Sequence, residues 1–363
     1  MENHSEGSLA ETLSQRGVSR RDFIKFCTFM AGTLALPASA VPRVAHALET
    51  AQRPPVVWLE YSDCAGCSES LLRAHSPTVG QLVLDVLSLN YHETIMAPSG
   101  HQAEKSLEDT IAAGGYLTVV EGAIPTGNNG VYCCVGGRTA VDLLQEVAAN
   151  TVAIITVGAC AFYGGWPATT PNPSEAKGVK DVISGVPIVN LPGCPMNVDN
   201  LTATIVHYLT YNGLPALDEL GRPLFAYGRR IHDNCERRGH FDAGEFVQAW
   251  GDEGHRNGWC LYQMGCKGPV AYHNCPTIRW NEGTSWPVQA GHGCIACASP
   301  GFWEMAAYEP VPIAEQTPPA SYPAVEEEQG NGLAATAVGV AAGVVVGAVG
   351  AVAVQQATKA KEE

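Results

Sequence analysis

Positive charge is scarce in this chain of 363 residues. Lysine and arginine together number 21 against 36 aspartates and glutamates, so the formal net charge is −15. The basic residues form no stripe along the sequence, whereas proteins that bind nucleic acids need basic patches to neutralise phosphates. The composition therefore argues against a nucleic-acid partner.

The chain also lacks an even number of cysteines. Because the number of thiols, 13, is odd, they cannot all pair with one another in disulfides. Metal ligation is the other way to occupy so many thiols. Glycine and proline are abundant, at 39 and 24 residues, and irregular metal-binding loops require such residues.

Residues 1–47 are predicted to be a twin-arginine signal peptide. Residues 19–25 read Ser-Arg-Arg-Asp-Phe-Ile-Lys, an apolar stretch covers residues 26–36, and small residues suited to cleavage lie near residues 40 and 47. The alternative is a basic terminus followed by an unrelated apolar patch. The twin-arginine route exports folded proteins that already hold their cofactors, so thiolates would meet metal before they reach an oxidising space.

Residues 333–354 are predicted to be a C-terminal transmembrane helix. They contain no charge, and at ~1.5 Å per residue they would span ~33 Å, enough to cross a bilayer. Glycines repeat every four residues on one face, as in helices that contact each other in lipid. Residues 309–332 would be a linker rich in Pro and Glu, and residues 355–363 a cytoplasmic tail. A low-complexity Ala/Gly/Val tail is the alternative.

Residues 48–220 are predicted to form an α/β domain with a flavodoxin-like, doubly wound parallel sheet. Apolar runs typical of buried strands alternate with amphipathic segments typical of helices. The predicted strands are Val56–Leu59, Tyr116–Val120, Val152–Val157 and Val186–Leu191, and the predicted helices are Ser68–Leu87, Thr139–Ala149 and Asn197–Tyr211. The length suggests about two domains, and with 46% hydrophobic residues the chain can bury a core.

Four cysteines follow predicted strands of this domain. Cys64 and Cys67 come after the first strand, Cys160 after the third and Cys194 after the fourth. Because open α/β sheets bind ligands beyond the carboxyl ends of their strands, we expect these thiols to converge. Four thiolates match a [4Fe–4S] cluster. A zinc site is the alternative, although zinc sites usually pair two local CxxC-like motifs.

Residues 221–308 are predicted to form a smaller, irregular cluster-binding domain. Regular apolar spacing fades here, and structural metals can stabilise such a segment. The candidate ligands form one set of three thiols with an imidazole, and one set of three thiols alone: His232, Cys235, Cys260 and Cys266; Cys275, Cys294 and Cys297. Three thiolates suit a [3Fe–4S] cluster, and Pro287, which has no ligating atom, lies where a fourth ligand could come.

Taken together, these motifs resemble the small subunit of membrane-bound, periplasmic [NiFe] hydrogenases of the uptake type. The resemblance covers roughly residues 54–308, and both ends of the chain agree with it. The motifs that carry it are Cys64-x2-Cys67-Ser68-Glu69, Gly158-Ala159-Cys160-Ala161, Pro192-Gly193-Cys194-Pro195, His232-x2-Cys235, Cys260-x5-Cys266 and Cys294-x2-Cys297.

The resemblance implies a role in electron transfer. The implied ligands are Cys64, Cys67, Cys160 and Cys194 for a proximal [4Fe–4S] cluster, Cys275, Cys294 and Cys297 for a medial [3Fe–4S] cluster, and His232, Cys235, Cys260 and Cys266 for a distal [4Fe–4S] cluster. The nickel–iron site would belong to a separate large subunit, because this chain lacks that subunit's paired CxxC ligands. Electrons from H₂ would pass to a quinone-reducing membrane partner such as a b-type cytochrome, and two heterodimers could associate.

Two other classes stay open on the sequence. One is an exported multi-cluster electron carrier of another respiratory complex, since the cluster-bearing subunit of complex I shares the first set alone. The other is a surface module held together by zinc. Oxygen-tolerant relatives carry two further cysteines at the proximal cluster. In this chain Gly66 occupies the position of one of them, and Cys133 or Cys134 is the match for the other. The resemblance therefore implies an ordinary proximal cluster and an oxygen-sensitive enzyme.

Overall fold

The computed structural model describes residues 19–50, 54–74 and 87–313, which lie in one compact unit. The predicted transmembrane helix at residues 333–354 lies outside the described residues, as do the tail and most of the linker. None of the helices in the described ranges combines the length and the hydrophobicity that a membrane span needs.

The described residues form a central parallel sheet of five strands. The strands are β1 (Pro55–Glu60), β2 (Ser88–His92), β3 (Tyr116–Glu121), β4 (Thr151–Val157) and β5 (Ile188–Leu191). Their order across the sheet is β2-β1-β3-β4-β5, and each neighbouring pair is parallel. This is the strand order of flavodoxin-like sheets. The α/β class with a parallel sheet is thus confirmed.

Helices cover both faces of the sheet. In chain order they are α1 (Arg20–Thr33), α2 (Val41–Thr50), α3 (Gly66–Leu72), α4 (His101–Ala113), α5 (Ala140–Ala148), α6 (Gly158–Tyr163) and α7 (Val198–Tyr211). On β1, Val56 and Trp58 face the core under α1, α2 and α7, whereas Val57 and Leu59 face the core under α4 and α5. Because alternate side chains of a strand point to opposite faces, a strand that is covered on both sides is apolar throughout.

Helix α1 and most of α2, which continues past the predicted end of the signal peptide at residue 47, pack on the same face as α7. Phe26, Met30 and Leu48 are buried in that core, and the Arg43 guanidinium lies 4.4 Å from the centroid of the Tyr211 ring. The arginine pair that gives the motif its name stays exposed. The uncleaved segment is therefore folded against the α/β core, and its removal remains a prediction.

The predicted elements agree closely with the structure where it describes them. The four predicted strands match β1, β3, β4 and β5, and the helices expected at 139–149 and 197–211 match α5 and α7 to within one or two residues. The helix expected at 68–87 is present as α3, which ends at Leu72, while residues 75–86 lie outside the described residues. Strand β2 and helix α4 were not predicted.

Regular structure is sparse between Arg222 and Ile313. The short helices there are α8 (Leu224–Tyr227), α9 (Arg238–Asp242), α10 (Glu253–Arg256) and α11 (Cys275–Ile278). Turns of 3₁₀ helix lie at Ala38–Ala40, Gly127–Gly130, Trp166–Ala168, Val179–Asp181, Ile231–Asn234, Tyr262–Met264 and Phe302–Glu304. Antiparallel ribbons pair Ile124–Pro125 with Ala176–Lys177 and Cys134–Val135 with Arg138–Thr139. An apolar cluster that includes Cys266, Cys275 and Cys294 holds this part together, so thiols are part of its core.

Candidate metal-cluster sites

The candidate ligands form three groups, which we name after the clusters that the sequence implies. They are the proximal set (Cys64, Cys67, Cys160 and Cys194), the medial set (Cys275, Cys294 and Cys297) and the distal set (His232, Cys235, Cys260 and Cys266).

The proximal set lies beyond the carboxyl ends of β1, β4 and β5. Cys67 is in the first turn of α3 and Cys160 is in α6, while Cys64 and Cys194 lie in the loops after β1 and β5. Burial, together with the nearby thiolates of Cys194 and Cys64, raises the pKa of Cys160 to about 12. A metal centre with a positive charge would offset this repulsion, because metal ligation requires deprotonated thiols.

Glycines leave room for sulfur in this crevice. A Cβ built on Gly158 would lie 2.6 Å from Cys67 Sγ, and one built on Gly165 would lie 2.6 Å from Cys160 Sγ. Both glycines have positive φ, +84° and +53°, a region that other residues rarely adopt. Any other residue at either position would collide with a candidate ligand, and this observation fits a bound cluster.

Nitrogen–hydrogen groups surround the proximal sulfurs. The Met196 backbone N–H donates to Cys67 Sγ at 3.4 Å. The side chain of Trp166 donates to the Cys194 thiol and its backbone N–H to the Cys160 thiol, and both contacts oppose the rise in pKa that burial causes. Such donors stabilise a thiolate and help to set the potential of a cluster. Trp166 was not identified from the sequence, although it follows Cys160 by six residues.

Glu121, at the end of β3, fixes the loop that carries Cys67. Its Oε1 accepts the Cys67 N–H at 2.9 Å, and its Oε2 accepts the N–H and the hydroxyl of Ser68 at 3.0 and 2.7 Å. Burial raises the pKa of Glu121, and the bond from Ser68 opposes that rise. The only sequence signal for this role was a carboxylate at the end of an otherwise apolar strand.

The distal set combines three thiols with a neutral imidazole. Burial, together with the thiolates of Cys266 and Cys235, raises the pKa of Cys260 to about 12. Burial lowers the pKa of His232, so its ring is neutral. The His232 Nε2 is buried without a hydrogen-bond partner among the described residues. Buried polar atoms are nearly always paired, and an unpaired imidazole nitrogen fits a site built for metal.

The medial set lines a cavity of about 680 Å³. Burial raises the pKa of Cys294 well above its usual value, and the thiolates of Cys266 and Cys297 raise it further. The Trp280 side chain donates to the Cys275 thiol. Pro287 also borders the cavity. Two buried thiols and the half-buried thiol of Cys297 around such a space provide both the room and the ligands that a cluster needs.

Backbone N–H groups join the three sets in a row. The Cys194 N–H of the proximal set lies close enough to the Cys297 thiol of the medial set to oppose the rise in that thiol's pKa that burial causes. The Cys294 N–H of the medial set donates to Cys266 Sγ of the distal set at 3.2 Å. The medial set therefore contacts both of the other sets.

Three cysteines lie outside these sets. Cys27 is buried in α1, Cys133 lies beside Ser62, and Cys134 is exposed. The match of Cys133 or Cys134 to a further cluster cysteine is not tested by these positions and stays a prediction.

Two family models match the chain. The one described as NADH ubiquinone oxidoreductase, 20 Kd subunit, matches residues 64–208, and the one for the C-terminal part of the NiFe/NiFeSe hydrogenase small subunit matches residues 227–309. The gap between the matches falls where regular secondary structure becomes sparse. The first match agrees with the predicted likeness of the proximal set to complex I.

Proteins of known function resemble the chain over most of its length. It is 49% identical over 297 residues to the periplasmic [NiFe] hydrogenase small subunit 1 of Nitratidesulfovibrio vulgaris, which covers 81% of this chain and 93% of that protein. It is 45% identical over 340 residues to the quinone-reactive Ni/Fe-hydrogenase small chain of Wolinella succinogenes, with 91% and 96% covered. A solved chain of the [NiFeSe]-hydrogenase of Dm. baculatum superposes with a TM-score of 0.66 at 36% identity, covering 71% of this chain and 99% of that chain. This chain belongs to the family of NiFe hydrogenase small subunits.

Proposed function

We propose that this chain conducts electrons from H₂ oxidation at the nickel–iron site of a large subunit to an acceptor in the membrane. The observation that carries the proposal is the row of three thiol sets, in which a backbone N–H of one set lies against a thiol of the next. Iron–sulfur clusters would supply the one-electron chemistry. The chain's own part is to hold the sets close together in a medium from which water is largely excluded.

The proposed ligands follow the three sets. A [4Fe–4S] cluster is assigned to the proximal set, a [3Fe–4S] cluster to the medial set and a [4Fe–4S] cluster to the distal set. The number of thiols in each set, the glycines beside the proximal sulfurs and the unpaired nitrogen of His232 support these assignments. Zinc could occupy the thiols of a set, but it has no redox chemistry, so it would leave a row of three adjacent sets without a role in electron transfer.

Electrons would enter at the surface beside the proximal set. Cys64 is exposed there, and the nearby rings of Trp166 and Tyr308 are 38% and 66% exposed. The two rings stack with centroids 5.9 Å apart, and Tyr308 lies close enough to Cys194 for the thiolate to raise its pKa. Exposed aromatic rings are typical of protein interfaces. We therefore assign this surface to the large subunit.

Electrons would leave from the distal set. The Wolinella relative is named as quinone-reactive, and an integral quinone-reducing partner, such as a b-type cytochrome, is the proposed acceptor. Twin-arginine export and the helix at residues 333–354 would place the complex on the periplasmic side of the membrane. Association of two heterodimers would use the glycine face of that helix.

The native complex, isolated without air, tests this proposal. It should be brown and contain iron and acid-labile sulfide in the amounts that two [4Fe–4S] clusters and one [3Fe–4S] cluster require. Cys275→Ser should abolish the paramagnetic resonance signal of the three-iron cluster, whereas Cys134→Ser, at an exposed thiol outside the sets, should leave it unchanged. A colourless complex, or an equal loss in both variants, would contradict the proposal.

A further inference from the structure

Trp286 carries a polar group that no other described residue satisfies. Its side chain is 3% exposed and lines the medial cavity. The indole Nε1 is buried and has no hydrogen-bond partner among the described residues. An indole N–H can only donate, so its role does not depend on a tautomer or on pH.

An unsatisfied buried donor is costly to a fold. Native proteins keep few such groups, and each one calls for an explanation such as a ligand that supplies the acceptor. The main chain at this position is held in place, since the Ala290 N–H donates to the Trp286 carbonyl oxygen at 3.0 Å and the neighbouring Ser285 carbonyl accepts the Trp280 N–H at 2.9 Å. Neighbouring groups enclose the ring itself, which is 3% exposed. The indole is therefore fixed at the cavity wall rather than free to turn towards solvent.

The medial cavity is where an acceptor is expected. The three thiols of the medial set lie around the same space. The Cys275 thiol already accepts from Trp280, and Cys294 Sγ accepts the Ala296 N–H at 3.3 Å. The unused acceptors at this site would be the inorganic sulfides of a bound cluster.

We propose that the Trp286 indole N–H donates a hydrogen bond to a sulfur atom of the medial cluster and thereby raises its reduction potential. The proposal rests on the proposed function, because it needs a cluster in the medial set. One-electron reduction adds negative charge to the cluster, and the sulfurs carry part of that charge. A fixed donor stabilises the reduced form more than the oxidised form, so it shifts the equilibrium towards reduction.

Trp286→Phe in the intact complex tests the proposal, with Trp303→Phe as the matched control. Trp303 belongs to the same apolar cluster but does not line the cavity. Redox titration followed by paramagnetic resonance should show that Trp286→Phe lowers the equilibrium constant for reduction of the medial cluster about tenfold, or about 59 mV for one electron. Trp303→Phe should leave the potential of the medial cluster unchanged. Neither Trp286→Phe nor Trp303→Phe should change the potential of the proximal or the distal cluster.

A vibrational readout separates a hydrogen bond from a packing effect. In protein prepared in D₂O, the iron–sulfur stretching bands of the wild-type medial cluster should shift, and this isotope sensitivity should be lost in Trp286→Phe. Replacing Trp286 by benzothienylalanine keeps the fused ring and removes only the N–H, so it should reproduce the effect if the phenylalanine variant fails to assemble.

The outcomes distinguish this proposal from the proposed function. A medial signal with unchanged potential and unchanged isotope shift in both variants would overturn the role of Trp286 and leave the electron path intact. Loss of the cluster in both variants would also overturn it, because the residue would then be needed for assembly rather than for potential. Wild-type complex without any medial signal would overturn the proposed function, and this inference with it.

Discussion

At the scale of single residues, Pro287 offers the sharpest test of the medial assignment. It borders the cavity that the three medial thiols line, and it has no atom that can ligate iron. We expect Pro287→Cys to supply a fourth thiolate, convert the cluster towards [4Fe–4S] and lower its potential, because the added ligand is negatively charged. Paramagnetic resonance and iron content of the purified complex measure the conversion.

The control for this substitution is Gln289→Cys, two residues further along the chain at an exposed position that does not line the cavity. It adds the same thiol without access to the cluster, so the three-iron signal should persist. An unchanged three-iron signal in Pro287→Cys would show that Pro287 does not stand at the fourth ligand position.

His232 separates electron exit from hydrogen activation. Its neutral ring has a buried nitrogen without a partner among the described residues, so we assign it to the distal cluster. His232→Ala should slow H₂ oxidation with a dye acceptor by about tenfold or more, while hydrogen–deuterium exchange, which needs only the nickel site, should continue. His240→Ala is the control, since the Nδ1 of that histidine pairs with Glu245 at 2.5 Å. An equal fall in exchange and oxidation in His232→Ala would refute the assignment.

The ligand candidates could be found from the sequence because cysteine spacing is a chemical signature in itself. The surrounding donors could not be found that way. Trp166 and Trp280 are ordinary aromatic residues in the sequence, and only the folded loops bring their N–H groups to the thiols. Trp286 likewise reaches the cavity at the medial set only through the fold. Glu121 was hidden for a similar reason, because its partners on α3 are more than fifty residues away in the chain.

At the scale of elements, the turn from β4 into α6 shows how backbone shape makes room for the proximal set. Gly158 has φ of +84°, and an added Cβ would meet Cys67 Sγ at 2.6 Å. Gly185 has nearly the same φ, +83°, but an added Cβ would meet nothing within 4 Å. A comparison of substitutions at Gly158 and Gly185 therefore separates the effect of backbone strain from the effect of crowding at the proximal set.

Both glycines should be replaced by alanine in the intact complex. Gly185→Ala should cost about 1–2 kcal/mol of stability, from the left-handed backbone alone, and keep its full iron content. Gly158→Ala should lose the proximal cluster as well, because the thiol must move. Iron analysis and thermal unfolding measure the two effects, and full proximal occupancy in Gly158→Ala would show that the crevice is not shaped around a cluster.

Strand β2 and helix α4 show why part of the fold was not predicted from the sequence. Strand β2 is at the edge of the sheet and pairs with β1 alone. Only Tyr91 and His92 of its five residues are buried, so it lacks the unbroken apolar run of the central strands. Helix α4 has an apolar stripe that includes Leu107 and Ile111, but charged residues separate its apolar positions, so no long apolar run marks it in the sequence. The inner strands were predictable because burial on both faces leaves a strong pattern.

At the scale of the whole molecule, electrons flow in one direction along the row of thiol sets only when its two ends face different partners. The exposed aromatic surface at Trp166 and Tyr308 marks the proximal end. In the proposed function the other end faces an acceptor in the membrane, and the proposed means of holding the complex there is the helix at residues 333–354, outside the described residues. The anchor and the electron path are thus separate parts, and removing one should not damage the other.

Truncation tests that separation. A chain that ends at residue 332 should leave the complex in the soluble fraction after the cells are broken, because the apolar span is gone. It should still oxidise H₂ with a dye at close to the intact rate, since all three thiol sets remain, but quinone reduction in membrane vesicles should fall to background. A chain that ends at residue 354 removes only the charged tail and should stay in the membrane with both activities. If the shorter chain still co-sedimented with membranes and reduced quinone, residues 333–354 would not be the anchor, and a contact of the folded part with the membrane partner would have to hold the complex in place.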